Sequence, residues 1–403
     1  MKKALNFFRK SLIASIILAV TLGILLGQVV PLWVVRIFTT FNELFSSILS
    51  FTVPLLILAL ITGSIAETDR GAGKMLIWTV GLAYASTVLA GIFTYFVGDI
   101  TFPHIVTMHA GDAAFSSTVP PEALAPYFII DFPPVMDTMS ALLLSFILGF
   151  AILKYNHRAI KHGVIELKDV VMMIISNIIL PLLPLYIFGV FLKMTVSGEM
   201  TMIVNVYLKV ILIMICIFMV WLLIQYCIGG MVAKQNPFKA LWKMCPALVT
   251  ALASSSSAAT LPVTLRCASK MGVRKSVVDF VIPMCANIHL SGASVRTIAL
   301  AMATMLMYQQ DYSFGLFLSF IMIFSITVLA APGIPGGVIM AAAGLIQSML
   351  GFSDPMIALM ITLSIALDSM GTAVNVAGDG ALMLIVNKVT EEKSTDSPTP
   401  TNT

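Results

Sequence analysis

Long apolar runs fill this chain, and they are of two kinds. The first kind is uninterrupted: residues 11–30, 45–65, 75–97, 170–191 and 203–232, with residues 141–153 a shorter example. A helix of about 20 apolar residues rises about 30 Å, the thickness of the hydrocarbon layer, so each reads as a transmembrane helix. The second kind begins after Lys243 and is broken by polar residues. Residues 245–267 are interrupted by Ser254-Ser255-Ser256-Ser257 and Pro262, and are flanked by basic residues at both ends. A segment that enters and leaves on one side is a re-entrant hairpin, here with the serines at its tip. Residues 277–307 are broken at Asn287-Ile288-His289-Leu290-Ser291-Gly292. Residues 318–350 are split by Pro332-Gly333-Ile334-Pro335-Gly336-Gly337 and flanked by Gln310-Asp311 and Ser353-Asp354, which marks a second hairpin entering from the other face. Residues 356–386 read as one final helix.

Irregular backbone is tolerated at membrane depth only where it lines a cavity or is buried in protein. Interrupted segments in corresponding positions of two halves point to a transport site. The two halves share this pattern without visible sequence identity. No sustained run of ten-residue alternating strands is present, which argues against a membrane barrel.

Composition agrees. Of 403 residues 59% are hydrophobic and 10% charged, against about 25% charged in a soluble domain. The first segment is too long for a signal-peptide core, and Gly27-Gln28-Val29-Val30 is a poor cleavage site. Five cysteines, Cys216, Cys227, Cys245, Cys267 and Cys285, lie in or beside apolar segments without metal spacing, and read as small buried hydrophobes. The net charge of +4 is a topology signal rather than a nucleic-acid footprint. Lys2, Lys3, Arg9 and Lys10 hold the N-terminus in the cytoplasm under the positive-inside rule. Arg70, Lys154, Arg158, Lys234 and Lys243 then fall inside after successive crossings, whereas residues 99–137 carry no Lys or Arg and fall outside. Six crossings explain the charge through Lys243. The polar tail, residues 391–403, reads as disordered and cytoplasmic.

The last helix carries the sharpest chemistry. Asp368, Thr372, Asn375 and Asp379 recur at helical spacing and fall on one stripe, which Ser364 extends by a turn. Carboxylates on one face of a membrane helix are expensive and mark ion or substrate sites. Oxygen-bearing side chains are hard ligands suited to a small cation. A polar seam against another helix is the plainer alternative.

These residues also resemble a known family. Asn375-Val376-Ala377-Gly378-Asp379 resembles the NVTGD signature in the last helix of the dicarboxylate/amino acid:cation symporters, which include the glutamate transporters. The stretch from Ser255 through Thr264 is similar to that family's first hairpin tip, and Ile334-Pro335-Gly336-Gly337 to its second. The resemblance implies an all-α polytopic membrane protein of eight transmembrane helices plus two re-entrant helical hairpins, built as inverted repeats and working as an elevator-type transporter. It implies a homotrimer in the cell membrane. Residues 1–240 would be mainly scaffold and trimerisation helices, with one or two helices lent to a transport domain at residues 241–390. Asn375 and Asp379 would bind a coupling sodium ion. Asp368 would hold a substrate amino group and Asn375 its carboxylate, with Thr372 beside them and Ser256, Ser257 and Gly336 closing over.

The departures concern the same residues. Where the family reads NMDGT, this chain has His289-Leu290-Ser291-Gly292-Ala293. His289 is therefore a backbone ligand, a proton carrier or a neutral histidine bonded in a packed break. The family arginine that reads acidic substrates falls at Gly371, which favours neutral amino acids. Arg296 instead lies in the membrane, seven residues after His289. A buried arginine needs an anion, either Asp368 or a substrate carboxylate. Neutralisation by Asp368 would turn the reading toward a dicarboxylate or another organic acid. The expected activity is uptake of a small amino acid or dicarboxylate, coupled to sodium rather than to a proton. Two other classes compete: a serine hydrolase using one of the serines 254–257 with His289 as base, and a channel or sensor on a transporter fold. No G-x-S-x-G elbow supports the hydrolase.

Overall fold

The computed structural model describes residues 12–66, 73–110, 121–130, 132–155, 158–198, 200–329, 331 and 336–391. The basic N-terminal stretch, Arg70, the tip prolines Pro332 and Pro335, and the tail beyond Glu391 lie outside them. Among the described residues the elements are all helical.

The first half supplies α1 (Leu12–Leu26), α2 (Leu32–Ala66), α3 (Gly73–Ala110), α4 (Thr138–Tyr155), α5 (Arg158–Ile174), α6 (Leu180–Val196) and α7 (Met200–Ala233). The single helix expected over residues 170–191 is corrected. A π-turn at Ile175–Ile179 separates α5 from α6, and the two are bent by 48°. Pro181 and Pro184 deny backbone donors to the first turns of α6, so a straight ladder cannot continue through them.

The second half is built from short helices. The first hairpin pairs α8 (Pro237–Ser254) with α9 (Ser257–Ser269). Asn236 caps α8 by accepting a hydrogen bond from the Lys239 N–H, and Pro237 takes the first position, where a donor is not needed. Ser255 turns the chain with φ of 51°, and Ser256 caps α9 through the Ala259 N–H at 3.2 Å. The serine run is thus turn and capping chemistry first. A broken helix follows, α10 (Lys275–Ile288) and α11 (Ser291–Met307), with the break confined to His289 and Leu290. The second hairpin pairs α12 (Phe314–Val328) with α13 (Gly337–Leu350). Gly336 opens α13 with φ of +78°, and a Cβ there would stand 2.8 Å from Ile365 Cγ1, so both conformation and space require glycine.

The last segment is also corrected. Residues 356–386 form two helices, α14 (Asp354–Ala366) and α15 (Asp368–Val389), separated at Leu367. Leu367 accepts from the Met370 N–H at 3.2 Å and from the Gly371 N–H at 3.4 Å, a tightened turn. The residues just before Leu367 are apolar and contain no breaker, whereas Asp368, Ser369 and Gly371 follow it.

Four helical stretches among the described residues are long and apolar enough to cross a membrane: Met75–Val106, Ile203–Ala233, Lys275–Met307 and Asp368–Val389. In their most apolar 18-residue windows the first two are 33% and 39% buried and the last two 89% and 83%, which separates a more exposed pair from an enclosed one. The enclosed pair, α10–α11 and α15, forms the centre, with α3 and α7 packed against it. Where α11 meets α15 the backbones touch: a Cβ on Gly292 would lie 2.3 Å from the Gly371 carbonyl oxygen.

Gly292→Ala should therefore force the two helices apart. We expect a stability loss of about 1–3 kcal/mol from overpacking, read as a lower thermal midpoint of the protein in detergent. A midpoint equal to that of the parent protein would contradict the close approach.

Candidate functional site

Three polar contacts join α11 and its preceding break to α15. His289 Nδ1 lies 2.9 Å from Asp379 Oδ1, the Gly292 N–H donates to Asn375 Oδ1 at 2.7 Å, and Arg296 Nη1 donates to Asp368 Oδ1 at 2.5 Å. Residue numbers rise along one partner as they fall along the other, so the helices run antiparallel. Gly292 and Arg296 are four residues apart and share one face, as do Asp368, Thr372 and Asn375.

The stripe on α15 divides into two places. Asp368, Thr372 and Asn375 line a cavity of about 60 Å³. The first hairpin contributes Ser255, Ser256, Ser257 and Ala258 to its wall, and the broken helix contributes Asn287, Leu290, Ala293 and Arg296. Ala331 and Val338 complete it from the second hairpin. Gly336 reaches the site through its N–H, which donates to Asp368 Oδ2 at 3.3 Å. The starts of α9 and α13 both stand at this cavity. Helix N-termini carry unsatisfied N–H groups and a positive dipole end, which suit an anionic ligand group.

Asp379 is elsewhere. Eleven residues of α-helix place it roughly 16 Å along the axis from Asp368, too far to share one small ligand. It is 1% exposed, and its Oδ2 has no hydrogen-bond partner among the described residues. Its partner His289 is equally enclosed, and its other ring nitrogen, Nε2, lies 3.0 Å from Ser86 Oγ and 3.2 Å from Gln225 Nε2. Gln225 also donates to Ser86 at 2.9 Å and to Ser291 at 3.2 Å. A Cβ on Gly378 would meet His289 Cε1 at 2.7 Å, so glycine there admits the imidazole.

Arg296 pairs with Asp368. Arg296 is fully enclosed and Asp368 is 7% exposed. Arg296 Nε and Nη2 have no partner among the described residues. His289 bonds to Asp379, Ser86 and Gln225 rather than to any serine from 254 to 257, so the nucleophile–base pair of a hydrolase is not assembled. Three or more His, Cys, Asp or Glu side chains never gather into a metal cluster among the described residues.

Sequence reasoning missed Gln225 on α7 and Ser86 on α3. Gln225 was legible in principle, as the lone amide in the last turns of an apolar helix; a serine in a membrane helix gives no comparable signal.

Residues 12–389 match the family model described as the sodium:dicarboxylate symporter family. The chain is 25% identical over 397 residues to the serine/threonine transporter SstT of Acinetobacter baylyi, covering 95% of this chain and 98% of that protein. It is 28% identical to the same transporter of Acinetobacter baumannii strain AYE, covering 93% and 96%. Excitatory amino acid transporter 3 of Oryctolagus cuniculus is 32% identical over 163 residues, 40% of this chain and 31% of that protein.

Replacing His289 with Leu removes one partner of a buried pair and leaves Asp379 enclosed. The expected loss of stability is about 3–5 kcal/mol, measured by heat denaturation in detergent. An unchanged midpoint would show that the pair contributes nothing.

Proposed function

Because the chain belongs to the sodium:dicarboxylate symporter family, we propose that it is a sodium-coupled symporter that takes up a small amino acid across the cell membrane. The observation that carries this reading is the cavity where both hairpins meet the two central helices. It offers two helix N-termini to a carboxylate and Asp368 to an ammonium group. Its volume of about 60 Å³ suits a small substrate. Relatives named as serine/threonine transporters cover nearly the whole chain, which favours an amino acid.

In this reading Ser256, Ser257 and Gly336 supply backbone to the substrate, Asn375 and Thr372 flank it, and Asp379 with Asn375 serves the coupling ion. Residues 241–390 form the moving transport domain with α3 and α7, and the remaining early helices form the scaffold of a homotrimer. The termini lie in the cytoplasm, as the basic residues beside the early helices favour, and the transport domain slides as an elevator.

Two observations support second readings. Asp368 is already engaged by Arg296, which favours a dicarboxylate that has no ammonium group to place. The imidazole on Asp379 favours a proton over sodium as the coupling ion.

Uptake into proteoliposomes separates these. An inward sodium gradient should raise accumulation of radiolabelled serine or threonine. Uptake that follows a pH gradient and ignores sodium would move the assignment to the proton, and indifference to both would end the symport reading. Succinate displacing the label more strongly than alanine does would favour the dicarboxylate. Asp379→Asn should abolish uptake, and parental uptake in that variant would sink the placement of the ion site.

A further inference from the structure

Lys234, Lys239 and Lys243 lead into the first hairpin, and Arg266, Lys270, Arg274 and Lys275 lead out of it. No Asp or Glu lies anywhere between Lys234 and Lys275. Membrane topology does not require so unmixed a cluster. The other segments that read as cytoplasmic mix their signs: Glu67 and Asp69 precede Arg70, and Glu166 and Asp169 flank Lys168.

The fold gathers these cations onto one face. The base of the hairpin is the start of α8 and the end of α9, and α10 begins beside it. Gln235 closes the tight turn from α7 by donating its N–H to the Gly230 carbonyl at 2.9 Å. Arg274 fastens the end of α15 to the same face. Its Nε donates to Asn387 Oδ1 at 2.9 Å, and its Nη2 donates to the Asn387 carbonyl and to Thr390 Oγ1, each at 2.8 Å. That guanidinium meets carbonyl groups at a helix end and is already engaged. The remaining cations, Lys234, Lys239, Lys243, Arg266, Lys270 and Lys275, are exposed, and none has an ion-pair partner among the described residues.

Aromatic residues stand among them. Phe238 and Trp242, one turn apart on α8, are 65% and 77% exposed, and Val249 and Leu252 carry the exposed apolar stripe on toward the tip. An indole beside lysines suits the head-group level of a bilayer, where its ring meets acyl chains and its N–H meets polar groups. Lysine stems lie along apolar surface while their ammonium groups reach phosphates. We propose that the base of the first hairpin is a docking surface for the anionic phospholipid head groups of the cytoplasmic leaflet. The unpaired cations supply the attraction, and Phe238 and Trp242 set the depth. The surface belongs to the part that slides in the proposed transport cycle, so anionic lipid acts on the moving element rather than on the scaffold.

The test uses the full-length protein in neutral detergent, titrated with short-chain phosphatidylglycerol or, at equal concentration, phosphatidylcholine, with the thermal midpoint as readout. Phosphatidylglycerol should raise the midpoint and phosphatidylcholine should not; equal shifts would overturn the proposal. Added salt should weaken the phosphatidylglycerol effect by screening, and a shift indifferent to salt would count against it equally. Each basic residue near an anionic surface is worth roughly fivefold in affinity. Lys239→Gln, Lys243→Gln, Arg266→Gln and Lys270→Gln together should therefore lower phosphatidylglycerol affinity by roughly tenfold or more. Parental affinity in that variant would overturn the placement. Lys154→Gln with Lys161→Gln, on another cytoplasmic segment, should keep parental affinity, and an equal loss there would overturn the placement too. Should the fourfold variant fail to fold, Trp242→Ala with Lys243→Gln should lower affinity by about fivefold or more, and parental affinity would again sink the proposal. The readout needs neither substrate nor gradient, so its failure would leave the uptake reading standing.

Discussion

The antiparallel seam between α11 and α15 sets the rest of the site. Gly292 lies so close to the Gly371 carbonyl that the two backbones have essentially one way to pass. With that crossing in place, the rise of each helix decides what meets what: His289 reaches Asp379 on one side, and Arg296 reaches Asp368 on the other. The Gly292 N–H, a donor that the start of α11 cannot use within its own helix, is taken by Asn375. A larger residue at the crossing would shift all three contacts together, because packed helices do not deform continuously.

Broken helices raise a problem of unsatisfied backbone groups, and this chain meets it locally where it can. In the first hairpin the serines cap α9 and bond one another, with Ser254 Oγ 3.0 Å from Thr260 Oγ1. In the second, Gly336 gives its N–H to Asp368. Of the buried groups left without a partner among the described residues, Arg296 lines the cavity, whereas Asp379 Oδ2 lies away from it.

Two side-chain pairs lie along the seam, and their separation matters. Arg296–Asp368 borders the cavity, whereas His289–Asp379 is sealed among Ser86, Gln225 and Ser291. A single stripe of carboxylate, hydroxyl and amide groups along one helix thus serves two distinct electrostatic units. Removing one member of either pair leaves its enclosed partner without that bond, so each residue is held in place by its partner as well as by any role in transport.

The sequence by itself determined the helical membrane character, the positions of both hairpins and the break near His289. Those features follow from run length, from serine and glycine turn chemistry, and from the expense of polar groups in lipid, all of which are local. It also placed Asp368, Thr372, Asn375 and Asp379 on one helix face, since periodicity alone suffices for that. Only the tertiary structure decided that Asp379 stands apart from the cavity, that Arg296 chooses Asp368, and that Ser86 and Gln225 join His289. The interruption at Leu367 and the bend between α5 and α6 also emerged there. The reason is common to all of these: each depends on which residues of distant segments come within about 3 Å, and that is set by helix crossings rather than by spacing along one helix.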